Sequence, residues 1–207
     1  MSSDAEAQEV IDESTRELID KFGAMFEPSE IREIVADSYT SFESARVRTF
    51  VPVFTTRYAD ERLSALAVVR GLTTPDVPSV LFVCVHNAGR SQMAAGFLRH
   101  LAQGKVKVFS GGSNPGIDLN SVVVAAMKEV GVDISLEVPK PFATEIVQAA
   151  DVVITMGCGD TCPIFPGKRY EDWELDDPAG QPLEVVRPIR DDIQRRVEAL
   201  YKSLVNA

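Results

Sequence analysis

Two hydrophobic patterns divide the chain. Over the first 75 residues, apolar positions return at steps of three and four. Val10, Ile11, Leu18, Ile19, Phe22, Met25 and Phe26 form one such stripe, with charged residues between them, which predicts an amphipathic helix. Pro28 and Ser29 open a second helix, with Ser29 as its N-cap and Ile31, Ile34, Val35, Tyr39 and Phe42 as its stripe. A third runs from Pro52 to Val69 and carries Val53, Phe54, Tyr58, Leu63, Leu66 and Val69. Three helices of this length predict an all-α three-helix bundle over residues 1–75. Phe22, Phe26, Tyr39, Phe42, Phe50 and Phe54 are assigned to its core. A bundle this small has little core of its own and is expected to dock on something; a homodimer through these helices is the expected form. The segment holds no nucleophile, ligand cluster or phosphate loop.

From residue 79 onward, short apolar runs alternate with helical periodicity. Strands are predicted at Ser79–Cys84, Lys105–Ser110, Asp151–Met156 and near Arg169–Asp172. Helices are predicted near Arg90–Gln103, Leu119–Val130, Thr144–Ala150 and Glu184–Val205. This alternation specifies an α/β domain over residues 79–207, a four-stranded parallel sheet flanked by helices. The stretch Gly71-Leu72-Thr73-Thr74-Pro75-Asp76-Val77-Pro78, rich in turn formers, is the linker. Active sites of such sheets lie beyond the carboxyl ends of the strands. Cys84 ends the first strand and Cys158 follows the third, with Cys162 four residues further on. All three cysteines of the chain are therefore expected at one edge of the sheet.

Composition narrows the classes. With 45% hydrophobic and 25% charged residues the chain reads as an ordinary globule, and no apolar stretch nears the roughly 18 residues of a membrane span. The first residues, MSSDAEAQEV, are acidic and polar, unlike a signal peptide, so a cytoplasmic protein is expected. Three cysteines in that compartment favour catalytic thiols or a metal site over structural disulfides. The net charge of −10, with no basic run of five, argues against nucleic acid as a partner. The first 78 residues hold 8 Lys+Arg against 15 Asp+Glu, and the remainder 13 against 16, so the predicted bundle carries most of the excess acid.

The chemistry concentrates in Cys84-Val85-His86-Asn87-Ala88-Gly89-Arg90-Ser91, between a buried strand and a helix. A thiol, five residues, an arginine and a serine form a cradle for a tetrahedral oxyanion. Backbone N–H groups from Val85 to Ser91 point inward, and the helix start adds about half a positive charge. Arg90 grips two oxygens with its planar fork, and the positive field favours Cys84 as thiolate. Ser91 is expected to hydrogen-bond the sulfur, and Asn87 to hold the loop in a left-handed conformation. The loop Gly157-Cys158-Gly159-Asp160-Thr161-Cys162-Pro163 has glycines enough to move, and its two thiols are near enough in sequence to close a small disulfide ring. Cys-x3-Cys with a distant third cysteine lacks a clear fourth ligand, so no metal is expected.

These residues resemble a known superfamily. Cys-x5-Arg-Ser directly after the first parallel strand is similar to the low-molecular-weight tyrosine phosphatases and to the arsenate reductases of the same fold. Ser91-Gln92-Met93-Ala94 and Trp173-Glu174-Leu175-Asp176-Asp177-Pro178-Ala179-Gly180 resemble the reductase branch. The resemblance covers residues 79 to 205 and leaves out the first 75. It implies reduction of arsenate to arsenite by a three-cysteine relay. Cys84 attacks arsenic, Cys158 attacks the Cys84 sulfur, Cys162 then attacks Cys158, and thioredoxin recycles the disulfide with no bound cofactor. It also implies that Asp177, before Pro178, is the acid that protonates the departing oxygen, with Asp176 a weaker candidate; an Asp-Pro turn cap is the structural alternative. The Cys-x3-Cys spacing is shorter than in well-known thioredoxin-coupled members. Ala95 replaces a glutamate often linked there to potassium, so the resemblance does not extend to that ion. Two other functions stay open, a protein tyrosine phosphatase and a non-enzymatic oxyanion or redox sensor.

Overall fold

The structure, a computed structural model, describes residues 3–43, 45, 48–157 and 162–205. The chain divides into two compact units, Met1–Thr74 and Pro75–Ala207. Among the described residues no helix is long and apolar enough to cross a membrane.

The first unit contains α1 (Ser3–Phe22), α2 (Pro28–Thr40) and α3 (Val51–Val69), with a 3-10 turn at Arg48–Phe50 before α3. The three helices pack on each other around Leu18, Phe22, Phe26, Ile31, Val35, Ala59, Leu63 and Ala67. Tyr39 and Phe42 are also buried, and the Phe42 ring meets Tyr58 edge-on at 5.9 Å between centroids. Two expectations fail here. The N-cap of α2 is Glu27, not Ser29, and no side chain caps the helix. Pro28 takes the first helical position, where its missing N–H costs nothing and its fixed φ suits the helix. Phe50, Val53 and Val69 are exposed rather than core. The buried face of α3 runs through Val51, Thr55, Tyr58, Ala59, Leu63 and Ala67. Val53 lies two residues from both Val51 and Thr55, about 200° round the helix, and so points away. Small alanines occupy positions that a reading of large apolar residues passes over.

The second unit is a four-stranded, all-parallel sheet in the order β2-β1-β3-β4, with β1 Ser79–Cys84, β2 Lys107–Gly112, β3 Val152–Met156 and β4 Arg169–Asp172. Helices α4 (Arg90–Ala102), α5 (Ser121–Glu129), α6 (Thr144–Ala149) and α7 (Leu183–Val205) accompany it. β1 is buried along its whole length, so it reads as a continuous apolar run rather than an alternating one. Val80, Phe82 and Cys84 belong to a core shared with Met93 and Leu98 of α4, Val123 and Met127 of α5, and Ile193 and Val197 of α7. Leu81 and Val83 alternate to the opposite face, and α6 also packs on β1.

β2 begins two residues later than the pattern predicts. Lys105 N donates to Ala102 O and Gly104 has φ +87, so the turn out of α4 is still closing at Lys105. The shift carries the strand through Gly111 and Gly112. A Cβ on Gly111 would lie 2.7 Å from the Phe142 backbone, and one on Gly112 would lie 2.6 Å from Val85 O; only glycine lets these chains approach so closely. In register, Cys84 sits opposite Gly112 on one side and Met156 on the other. The chain leaves β1 for β2 on one side and reaches β3 on the other, so the carboxyl end of β1 lies at the topological switch point, where open α/β sheets bind ligands.

Candidate active site

The cradle is built by turning its carbonyls outward. The Cys84, Val85, His86 and Ala88 carbonyls accept hydrogen bonds from the N–H groups of Ser113 (3.2 Å), Asn114 (2.8 Å), Gly116 (2.8 Å) and Asn120 (2.9 Å). In a planar peptide the N–H points opposite to the C=O, so these bonds direct the loop amides toward the centre. Asn87 is left-handed, with φ +49, and its N–H donates to Cys84 Sγ at 3.2 Å. Gly89 caps α4 with no side-chain hydrogen bond, which leaves the first turn of the helix for an anion. The outer wall of residues 113–120 was not legible as part of the site, because it is joined to the loop only through backbone.

A buried polar chain orients the thiol. Asn87 Oδ1 accepts from Gln92 Nε2 (3.1 Å) and from Lys140 N (3.0 Å), two bonds only an oxygen can take. Its Nδ2 therefore faces Ser91 Oγ, at 2.9 Å. With that lone pair occupied, the one Ser91 hydroxyl hydrogen is available to Cys84 Sγ, 3.0 Å away. Cys84, Asn87, Ser91 and Gln92 are all buried. Gln92 and Lys140 are members of this network that sequence reasoning missed.

The cavity above the sulfur has a volume of about 280 Å³ and is walled by Cys84, His86, Arg90, Asn120, Asp177 and Pro178, among others. The Arg90 side chain is 11% exposed, and its Nη2 lies 3.8 Å from Asp177 Oδ2. Asp177 is half exposed, and its Oδ1 accepts from Ala179 N at 3.2 Å. The same carboxylate thus caps its turn and lines the cavity. Asp176 is exposed and borders a different depression, beside α7. His86 is exposed at the rim, and His100 is exposed on α4.

The second and third thiols follow β3. Cys158 lies outside the described residues. The chain enters that segment at Gly157, where φ is +73 and an added Cβ would lie 3.0 Å from Arg90 Nη1. Cys162 is buried, and Tyr170 holds the exit from the segment: its hydroxyl accepts from Phe165 N (2.9 Å) and donates to Pro163 O (3.3 Å). Among the described residues no group of three or more His, Cys, Asp or Glu is placed to hold a metal ion.

This strand–cradle–helix arrangement has relatives. The family model described as low molecular weight phosphotyrosine protein phosphatase matches residues 79–207. The chain belongs to that family. A second model, described as the protein-tyrosine-phosphatase-like N-terminal domain, matches residues 11–67. The similar proteins include both phosphatases and several proteins named as arsenate reductases. A low molecular weight protein tyrosine phosphatase from T. tengcongensis matches 62% of this chain, with 26% identity and a TM-score of 0.57. A putative arsenate reductase of Halobacterium salinarum is 41% identical over 58% of this chain and 88% of its own. A glutaredoxin arsenate reductase of Synechocystis is 42% identical over 60% of this chain and 97% of its own. A thioredoxin-dependent arsenate reductase of Corynebacterium glutamicum, of known structure, matches 95% of this chain and 96% of its own, with 38% identity and a TM-score of 0.83. Its match therefore takes in both units.

Proposed function

We propose that this protein reduces arsenate to arsenite through Cys84, Cys158 and Cys162, with thioredoxin as the external reductant. Arsenate occupies the cradle between Arg90 and the loop amides. The Cys84 thiolate attacks arsenic, and Asp177 gives its proton to the departing oxygen, which leaves as water. Cys158 thiolate then attacks the Cys84 sulfur. The S–As electron pair moves onto arsenic, arsenic falls from the +5 to the +3 state, and a Cys84–Cys158 disulfide remains. Cys162 attacks Cys158, frees Cys84 and leaves a Cys158–Cys162 disulfide, which a thioredoxin dithiol reduces.

One observation carries the relay: β1 and β3 end side by side, Cys84 opposite Met156, and Gly157 lies against the oxyanion-gripping Arg90. The segment bearing the other two thiols thus starts at the substrate, which a hydrolytic phosphatase does not require. Similarity over both units to a thioredoxin-dependent reductase supports thioredoxin rather than glutaredoxin, and a thiol relay suits the reducing cytoplasm.

The test is NADPH oxidation driven by arsenate with thioredoxin and thioredoxin reductase, alongside mass mapping of disulfides after one turnover. Cys162→Ser should release one arsenite per protein and trap Cys84–Cys158. Cys158→Ser should release none while keeping any hydrolysis of aryl phosphates. If Cys158→Ser sustains arsenate turnover, the relay is wrong; if glutaredoxin supports turnover and thioredoxin does not, the reductant is wrong.

The reading includes a homodimer through the first unit. The exposed Phe50 and Val53, with Phe50 packed on Phe54 at 6.0 Å between ring centroids, support an apolar contact there. Light scattering should give a dimer mass for the native chain and a monomer mass for Phe50→Asp/Val53→Asp; a native monomer removes this part.

A further inference from the structure

We infer that Asn120 is a positioning residue that holds the Asp177-Pro178 loop down over the Cys84 cradle, setting the acid at the height of the departing oxygen. The inference rests on the proposed role of Asp177 in oxyanion chemistry.

Asn120 joins three parts of the site at once. Its N–H donates to Ala88 O in the cradle at 2.9 Å. Its Oδ1 caps α5, accepting from Val122 N (2.9 Å) and Val123 N (3.3 Å). Those two donors fix the amide orientation, so Nδ2 is the end that meets Pro178 O, at 3.1 Å. The loop is otherwise poorly held. Asp176, Asp177, Ala179, Gly180 and Gln181 are all exposed, and Gly180 has φ +69. Pro178 alone is buried, with its ring so close to the cradle that a Cβ on Gly89 would lie 2.9 Å from Pro178 Cγ. Besides that ring contact, the loop has a long bond from Arg90 Nη1 to Leu175 O (3.4 Å) and the 3.8 Å ion pair of Arg90 with the half-exposed Asp177 carboxylate. It also has two internal bonds, Gln181 N to Pro178 O (3.3 Å) and Ala179 N to Asp177 Oδ1 (3.2 Å). The Asn120 amide is thus the short polar tie between the loop carrying the acid and the element carrying the nucleophile.

A carboxylic acid can transfer its proton only within hydrogen-bond reach of the accepting oxygen. When Asp177 is displaced, attack by Cys84 must expel hydroxide instead of water. Arsenate binding, governed by Arg90 and the loop amides, should change little. The tie therefore acts on turnover more than on affinity.

The experiment uses the full chain with Asn120→Ser. Serine still caps α5 and adds no charge, but it is too short to reach Pro178 O; Asn120→Thr is the second cap-preserving variant should the first fail to fold. Since a positioned acid contributes about 10²–10⁴-fold, kcat for arsenate should fall by about 10-fold to 100-fold with KM nearly unchanged. In Asn120→Ser/Asp177→Asn the rate should equal that of Asp177→Asn alone, because the acid that Asn120 positions is already gone. Amide exchange at residues 176–181 should quicken about 10-fold while that in α5 stays as in the native protein. Penalties that multiply in the double variant, or loop exchange that is unchanged, overturn the inference, as does an Asp177→Asn of native rate. A protein that hydrolyses an aryl phosphate but does not reduce arsenate sinks the reductase reading alone. The same series is then read on the aryl phosphate, whose departing oxygen needs the same proton.

Discussion

Asn87 performs two tasks that substitution can separate. Its left-handed backbone shapes the cradle, and its buried amide links Gln92 and Lys140 to Ser91 and so to the sulfur. Asn87→Gly keeps the backbone freedom but removes the amide and leaves Lys140 N without that acceptor. It should cost about 1–3 kcal/mol, read as a lower urea midpoint. Alkylation of Cys84 by iodoacetamide at neutral pH should slow by about 10-fold, the size expected for losing a hydrogen bond to a charged group. Ser91→Ala should slow alkylation similarly with a smaller effect on stability; unchanged alkylation in both variants would show that the hydroxyl does not serve the thiolate. The string Cys84 to Ser91 is contiguous, so the geometry of the loop, with its left-handed Asn87 and the Ser91 hydroxyl beside the sulfur, can be read from the chain. Lys140 and Asn120 cannot be read that way: they meet the loop from 53 and 32 residues away, through contacts with no periodicity of their own.

At the level of elements, α5 and α7 are joined by an ion cluster with a definite acid response. Glu129 Oε2 and Oε1 accept from Arg187 Nε (2.9 Å) and Nη2 (2.6 Å), and Arg190 Nη1 reaches both Glu129 Oε2 (3.1 Å) and Ala126 O (2.8 Å). The hydrogen bonds and charge of Arg187, followed by the hydrogen bond and charge of Arg190, outweigh desolvation and hold the Glu129 carboxyl down at about 2, against an ordinary 4.5. A carboxyl lowered in the folded state adds stability that is complete above its unfolded value and is lost as pH falls through its folded value. The difference in urea midpoint between the native protein and Glu129→Gln should therefore be largest above pH 5 and shrink steadily between pH 4.5 and 2. A constant difference over that range means the carboxylate does not act through its charge. Long side-chain pairs of this kind leave no trace in hydrophobic pattern, whereas the elements they join do. β1 is legible to the residue because its burial on both faces leaves an unbroken apolar run. β2 is displaced because Val106 is buried while still in the turn, and because Gly111 and Gly112, which read as strand breakers, are the residues that admit the Phe142 backbone and the cradle.

Across the whole molecule, the two units have cores of different size and different optical reporters. Among the described residues the bundle buries fewer hydrophobic side chains, from Val10 to Ala67, than the sheet unit, which gathers its core around Phe82, Met93 and Ile154. Smaller units bury a smaller share of their surface and are correspondingly less stable. The chain has one tryptophan, Trp173, and it packs in the sheet unit with its ring 5.9 Å from Phe82. Tryptophan fluorescence, excited where tyrosine does not absorb, therefore follows the sheet unit alone, while far-ultraviolet circular dichroism follows helices in both. Urea should produce an early loss of helical signal at constant fluorescence, then a second transition seen by both probes. Leu63 is fully buried in α3, and Leu63→Ala should remove about 2–5 kcal/mol. It should move only the early transition, which fixes that phase as the bundle. A single transition in which both probes coincide, shifted as a whole by Leu63→Ala, would mean instead that the units unfold as one cooperative body, and that the first unit contributes to the stability of the cradle.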